Sequence, residues 1–101
     1  MNLWRRYNPQ KTLFSVIRTH YGIALQCRND GELYVVLKRH LTRRELRCFV
    51  MDHGGEAAET IAAVLRTDVQ GVQRMSEKIE QKFRRPALVE ALGRCSGDMS
   101  E

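Results

Sequence analysis

Apolar residues recur at intervals of three and four along most of this chain, the spacing that gives an α-helix one buried face. Leu13, Phe14, Ile17 and Tyr21 form the first such stripe. Ahead of it, Asn8-Pro9 reads as a helix start, with Asn8 as cap and Pro9 in the first turn, where its missing N–H breaks no bond. Gly22 marks an end for this helix, although Ile23, Ala24 and Leu25 would let it run to about Cys27. Next, Asn29 followed three residues later by Glu32 resembles a capping box, and Leu33, Val36, Leu37, His40 and Leu41 share one helical face. A β-hairpin over 23–37 competes with that helix, because Asp30-Gly31 is a hairpin turn and Tyr34-Val35-Val36 suits a strand. The five-position periodicity favours the helix.

The second half is more regular. Thr42 with Glu45 makes another capping box, opening a helix that turns Leu46, Phe49 and Val50 inward and ends near His53, before a flexible corner at Gly54-Gly55. A helix over about 57–66 carries Ile61 and Leu65 on one face, with Ala62 small enough for a neighbouring helix to approach closely. Asp68 can accept a hydrogen bond from a free N–H of the following helix, so that helix is expected to start at Val69. It runs to about Arg84 with Val72, Met75, Ile79 and Phe83 buried. Pro86 interrupts it, and 87–92 form a last short helix with Gly93 as C-cap. These patterns predict an all-α domain of five or six helices over 1–95: N-terminal helices over 1–40, a helix-turn-helix core over 41–85, and a short C-terminal helix over 86–95. Residues 96–101 are polar and acidic and are expected to form a flexible tail.

The run from Leu41-Thr42-Arg43-Arg44-Glu45 through Phe49 and Gly54 to Ile61-Ala62, Leu65 and Val72 resembles the fourth region of bacterial RNA polymerase sigma factors. The likeness continues through Glu77-Lys78-Ile79-Glu80-Gln81-Lys82-Phe83-Arg84-Arg85-Pro86, similar to the basic, proline-stopped end of the reading helix in primary sigma factors. It implies a helix-turn-helix whose second helix reads a promoter hexamer, and it implies RNA polymerase or a regulatory protein as protein partners. The chain differs from that pattern at Val69-Gln70-Gly71, where primary sigma factors carry an arginine-rich start. Its 101 residues also leave no room for the second domain that binds core polymerase and melts a promoter.

Charge sharpens the reading. The chain has 17 Lys and Arg against 12 Asp and Glu, a formal charge of +5, which favours anionic partners. On the helix from Val69, burial of the apolar face turns Gln70, Gln73, Arg74 and Glu77 outward as candidate base readers, because arginine pairs two-fold with guanine and glutamine with adenine in the major groove. Lys78, Lys82, Arg84 and Arg85, with Arg43, Arg44 and Arg47 on the opening helix, are phosphate-contact candidates. Trp4-Arg5-Arg6-Tyr7 could be an arm along nucleic acid, but two aromatics so close favour folding back onto the core.

Other chemistry is poorly represented. The three cysteines, Cys27, Cys48 and Cys95, are odd in number and form no Cys-x-x-Cys pair, which argues against a disulfide scaffold or a zinc ribbon and suits a reducing cytoplasm. His20, His40 and His53 lie at no metal-ligand spacing, and no nucleophile elbow or phosphate-cradling glycine loop occurs, so neither a metal, a cofactor nor enzymatic activity is expected. Arg5-Arg6 is not followed by the apolar run of an export signal, and no segment reaches the ~18 apolar residues of a membrane span. The expected function is therefore a small cytoplasmic, bacterial DNA-binding regulator of transcription acting on double-stranded DNA. The alternative is a sigma-like module that docks to RNA polymerase or a regulatory partner without reading sequence. A homodimer is a further expectation, built on the stripe from Leu13 to Tyr21.

Overall fold

The computed structural model describes residues 2–26 and 29–93, which form helices and connecting loops and no strand. Seven helices follow in order: α1 (Asn2–Tyr7), α2 (Leu13–His20), α3 (Asp30–His40), α4 (Arg43–His53), α5 (Ala58–Leu65), α6 (Val69–Lys82) and α7 (Pro86–Gly93). The competing hairpin over 23–37 is not formed, since α3 occupies most of it. Helix α4 is the hub, packing against α1, α3, α5 and α6, while α2 and α7 lie against α3. Leu46, Cys48, Phe49, Val50 and Met51 of α4 are all buried, so this one helix is apolar around much of its circumference and needs neighbours on several sides. No described helix is long and apolar enough to cross a membrane. The acidic tail over 96–101, Cys27 and Cys95 lie outside the described residues.

The N-terminal region departs most from the sequence reading. The helix start at Asn8-Pro9 does not form. Helix α1 already ends at Tyr7, and Asn8 turns its amide inward, donating from Nδ2 to the carbonyls of Trp4 (3.3 Å) and Val50 (3.2 Å). The cap of α2 is Thr12 instead, whose hydroxyl accepts from Ser15 N–H, and the Asp30 carboxylate reaches across from α3 to accept from Leu13 and Phe14 N–H at 2.8 and 3.0 Å. Three of the N–H groups that open this helix are thus satisfied by two side chains. Nor does α2 extend toward residue 27: Tyr21 caps it and Gly22 follows at φ 67°, a left-handed conformation that stops a helix. The described residues therefore form one helix more than the upper sequence expectation, the additional element being α1.

Trp4 is 1% exposed, its indole N–H donating to Lys11 O at 2.9 Å, so the aromatic pair at the start of the chain belongs to the core and is no free arm. Helix α1 reaches α4 because residue 54 is glycine: a β-carbon there would lie 2.7 Å from the Tyr7 carbonyl oxygen. That position is a close helix approach, where the sequence suggested only a flexible corner. The stripe proposed for self-association is also used internally, with Leu13 and Ile17 fully buried and Phe14 and Tyr21 packed against the core.

The caps of the second half form as the sequence predicts. Thr42 and Glu45 complete a reciprocal capping box and Asp68 accepts from Gly71 N–H at 2.7 Å, while earlier in the chain Asn29 accepts from Glu32 N–H, forming one half of the box expected there. Such caps contribute about 1 kcal/mol each. Of the expected core, Leu46, Phe49, Val50, Ile61, Leu65, Val72, Ile79 and Phe83 are buried, and Met75 is partly so. Pro86 is the first residue of α7, where its missing N–H leaves no helical bond broken, and Gly93 is the helix's last residue.

Candidate nucleic-acid interface

Helix α6 and the start of α4 are held in register by one ion pair. Glu45 sits in the first turn of α4, where its Oε1 accepts from Thr42 N–H at 2.9 Å and from Lys82 Nζ at 2.6 Å. Both side chains are largely enclosed, 8% exposed for Glu45 and 17% for Lys82. Burial alone would raise the Glu45 carboxyl, but the Lys82 hydrogen bond, the Thr42 N–H and the charges of Lys82 and Lys78 outweigh it and hold the group below its usual 4.5. This clamp fixes the last turn of α6 against the first turn of α4.

One and two turns back along α6 from Lys82 stand Lys78 and Arg74, on the same row of the helix surface. Opposite them on α4 is Arg44, the neighbour of the clamping glutamate. The result is an open groove of about 350 Å³ lined by Thr42, Arg44, Glu45, Gly71, Arg74, Met75 and Lys78. Arg44, Arg74 and Lys78 are exposed, and none forms an ion pair with a described residue. Three exposed cations from two helices stand around a partly apolar floor, an arrangement able to attract an anion, with Glu45 on the same wall offsetting part of the charge of Lys78.

The remaining sequence candidates distribute around this groove. Gln70, Gln73, Arg74 and Glu77 are all exposed and form one outward face of α6, as the periodicity predicts. Arg43 and Arg47 are exposed on α4 but do not line the groove, and the charge of Arg47 is felt by Tyr34 on α3. Arg84 and Arg85 are exposed beyond the end of α6, in the turn leading to α7. Lys82 differs from the others in kind, because its ammonium is committed to Glu45.

The connection between α5 and α6 is only residues 66–68. Arg66 caps α5 in the left-handed conformation (φ 58°, ψ 50°), its N–H bonded to the last turn, and Thr67 N–H donates to Ala62 O at 2.9 Å. Left-handed backbone costs a non-glycine residue roughly 1–2 kcal/mol, so the sharpness of this turn is held against a local penalty. Gly71 also has a reason the sequence did not show: a β-carbon there would collide with the Thr67 hydroxyl and crowd the capping Asp68 carboxylate. Sequence reasoning missed Arg66 as well as the groove walls Thr42 and Met75. Val69, the first residue of α6, is 41% exposed and with Val64 is one of two large aliphatic side chains left open among the described residues.

On the other flank of α6 the chemistry is different. Tyr21 and Phe83 stack at 4.0 Å between ring centres, Phe49 lies 5.4 Å from Phe83, and His53 lies 4.7 Å from Phe49. The Tyr21 hydroxyl is 3.2 Å from His53 Nε2, and burial, reinforced by the charges of Glu80 and Asp52, pushes the phenol far above its usual value. Burial and the neighbouring His20 lower His53. Burial likewise raises the Cys48 thiol, so it stays protonated at neutral pH. His20 and His53, 5.0 Å apart between ring centres, and Glu80, 3.6 Å from His20, gather here although the sequence separates them widely. Among the described residues no set of three ligand-type side chains is placed to hold a metal ion. Compared with known protein families, curated proteins and solved structures, the chain finds no match in any of the three.

Proposed function

We propose that this domain is a small DNA-binding regulator of transcription, in which α5 and α6 act as a helix-turn-helix and α6 enters the major groove of double-stranded DNA. The observation that carries this reading is the groove between α4 and α6, where Arg44, Arg74 and Lys78 stand unpaired beside the exposed face of Gln70, Gln73 and Glu77. Arg44 and Lys78 take the roles of phosphate contacts that set position and affinity, and Arg74 with the two glutamines that of base readers. The three-residue connection, the Asp68 cap and the Glu45–Lys82 clamp serve to present that face rigidly. The resemblance to sigma factor region four supports the helix-turn-helix assignment through Thr42 to Glu45, Ile61 to Val72 and Lys78, though not through Gln70, where the chain departs from the sigma pattern.

Titration of a labelled random duplex at two salt concentrations tests it. Two phosphate contacts give a slope near −1.8 in log–log form, so affinity is expected to fall about 12-fold between roughly 50 and 200 mM salt. Selection from random duplexes then supplies a preferred sequence, on which Arg74→Ala should cost about 1–3 kcal/mol while costing little on unselected duplex. Salt-insensitive or absent duplex binding would overturn the reading in favour of a module that docks to RNA polymerase or another protein.

A further inference from the structure

The open aliphatic side chain at the start of α6 carries the reading one step further, to the kind of base pair recognised. Val69 stands first in α6 at 41% exposure, while the other aliphatic residues of that helix, Val72 and Ile79, are 5% and 3% exposed. It is β-branched and so ill suited to an exposed helical position on intrinsic grounds. Gln73 lies one turn further on the same side, and Gln70 follows it directly. The thymine of an A·T pair presents a C5 methyl to the major groove, and the adenine beside it presents N7 and an amino group that a glutamine amide can pair two-fold. A branched apolar side chain next to two carboxamides matches that edge. Arg74 and Lys78 further along the same helix, with Arg44 facing them from α4, supply the charge that brings a duplex, rather than an apolar protein surface, against it.

Resting on the proposed duplex binding, we infer that Val69 reads thymine, its methyls packing on the C5 methyl while Gln70 or Gln73 pairs the adenine of an A·T step. Burying one methyl corresponds to about a fourfold change in affinity. In the selected duplex, replacing the contacted thymine by deoxyuridine removes that methyl and nothing else, so it should weaken the wild-type protein about fourfold. Val69→Ala should bind the thymine duplex with a similar loss and should no longer distinguish thymine from deoxyuridine. Alanine is a better helix former than valine, so the variant retains the fold, and its circular dichroism checks this directly.

A selected sequence whose every thymine can become deoxyuridine without effect on the wild type would overturn this inference while leaving sequence-specific duplex binding in place. A deoxyuridine penalty that persists in Val69→Ala would also overturn it, by assigning the methyl contact to another residue. Sedimentation in which Val69→Ala converts a dimer to a monomer would overturn it as well, because a second copy would then cover the side chain. The absence of any selected sequence would overturn both this inference and the reading it rests on.

Discussion

On one flank of α6, Ser76, Ile79, Glu80 and Phe83 meet Tyr21, Cys48, Phe49 and His53 in a packed aromatic seam, whereas on the other Gly71, Arg74, Met75 and Lys78 face Thr42 and Arg44 across open space. The first flank is closed by ring stacking and by removal of large surfaces from water, so its side chains are accounted for by the fold. The second is joined only at its end, by Glu45 and Lys82, and its three open cations contribute little to holding the helices together. The helix therefore divides largely by side: its main anchors, Ile79 and Phe83, are separate from Arg74 and Lys78, the residues that the proposed function turns to DNA, while Met75 serves both the core and the groove. That separation is what a rigidly presented reading surface requires.

The largest test of the contrast is truncation on the packed flank. Phe83→Ala removes a ring that stacks on both Tyr21 and Phe49, and it should lower the unfolding free energy by about 3–5 kcal/mol in urea titration. Next comes the clamp. Glu45→Gln leaves the Lys82 ammonium enclosed without its counter-charge, at a cost of about 1–3 kcal/mol. Because the folded state holds the Glu45 carboxyl below its usual 4.5, its stabilisation is present above that pH and is lost as pH falls through the lowered value. Acid unfolding of Glu45→Gln should accordingly be shallower than that of the wild type. Lys82→Ala should register in stability as well, in contrast to its neighbours.

Smaller effects are expected on the open flank. Arg74→Ala and Lys78→Ala should each change stability by no more than about 0.5 kcal/mol in either direction, while both weaken duplex binding. A thermal midpoint that drops with either would show that the groove cations hold the fold, and would break the division of labour. Arg66→Gly should stabilise the protein by up to about 1 kcal/mol, since glycine accepts the left-handed turn without penalty but gives up some of that gain to its greater freedom when unfolded. A destabilised Arg66→Gly would show that the arginine side chain itself secures the turn.

What the sequence conveyed divides along the range of the interactions. The Thr42–Glu45 box and the Asp68 cap on Gly71 each join residues three apart in sequence, and the apolar rows of α4 and α6 repeat within their own helices, so both were legible. Asn8 misled because its amide donates to the Val50 carbonyl, 42 residues away, a tertiary contact that no local motif displays. Lys82 looked like its exposed neighbours for the same reason, its partner Glu45 lying 37 residues off. The outward face of α6 followed from helical period, but the groove did not, because it exists only where Arg44 and Arg74 are brought together by the α4–α6 contact.

The single tryptophan gives the molecule a built-in optical reporter. Trp4 is enclosed, its ring 5.9 Å from Phe49 and 6.4 Å from His53, so its emission senses the seating of α1 on α4 and the condition of the aromatic seam. It takes no part in the groove. Intrinsic fluorescence should therefore follow unfolding faithfully and stay nearly silent when an anion fills the open flank. A titration observed through this residue would watch the scaffold while a labelled partner watches the surface, two independent channels from one unmodified chain.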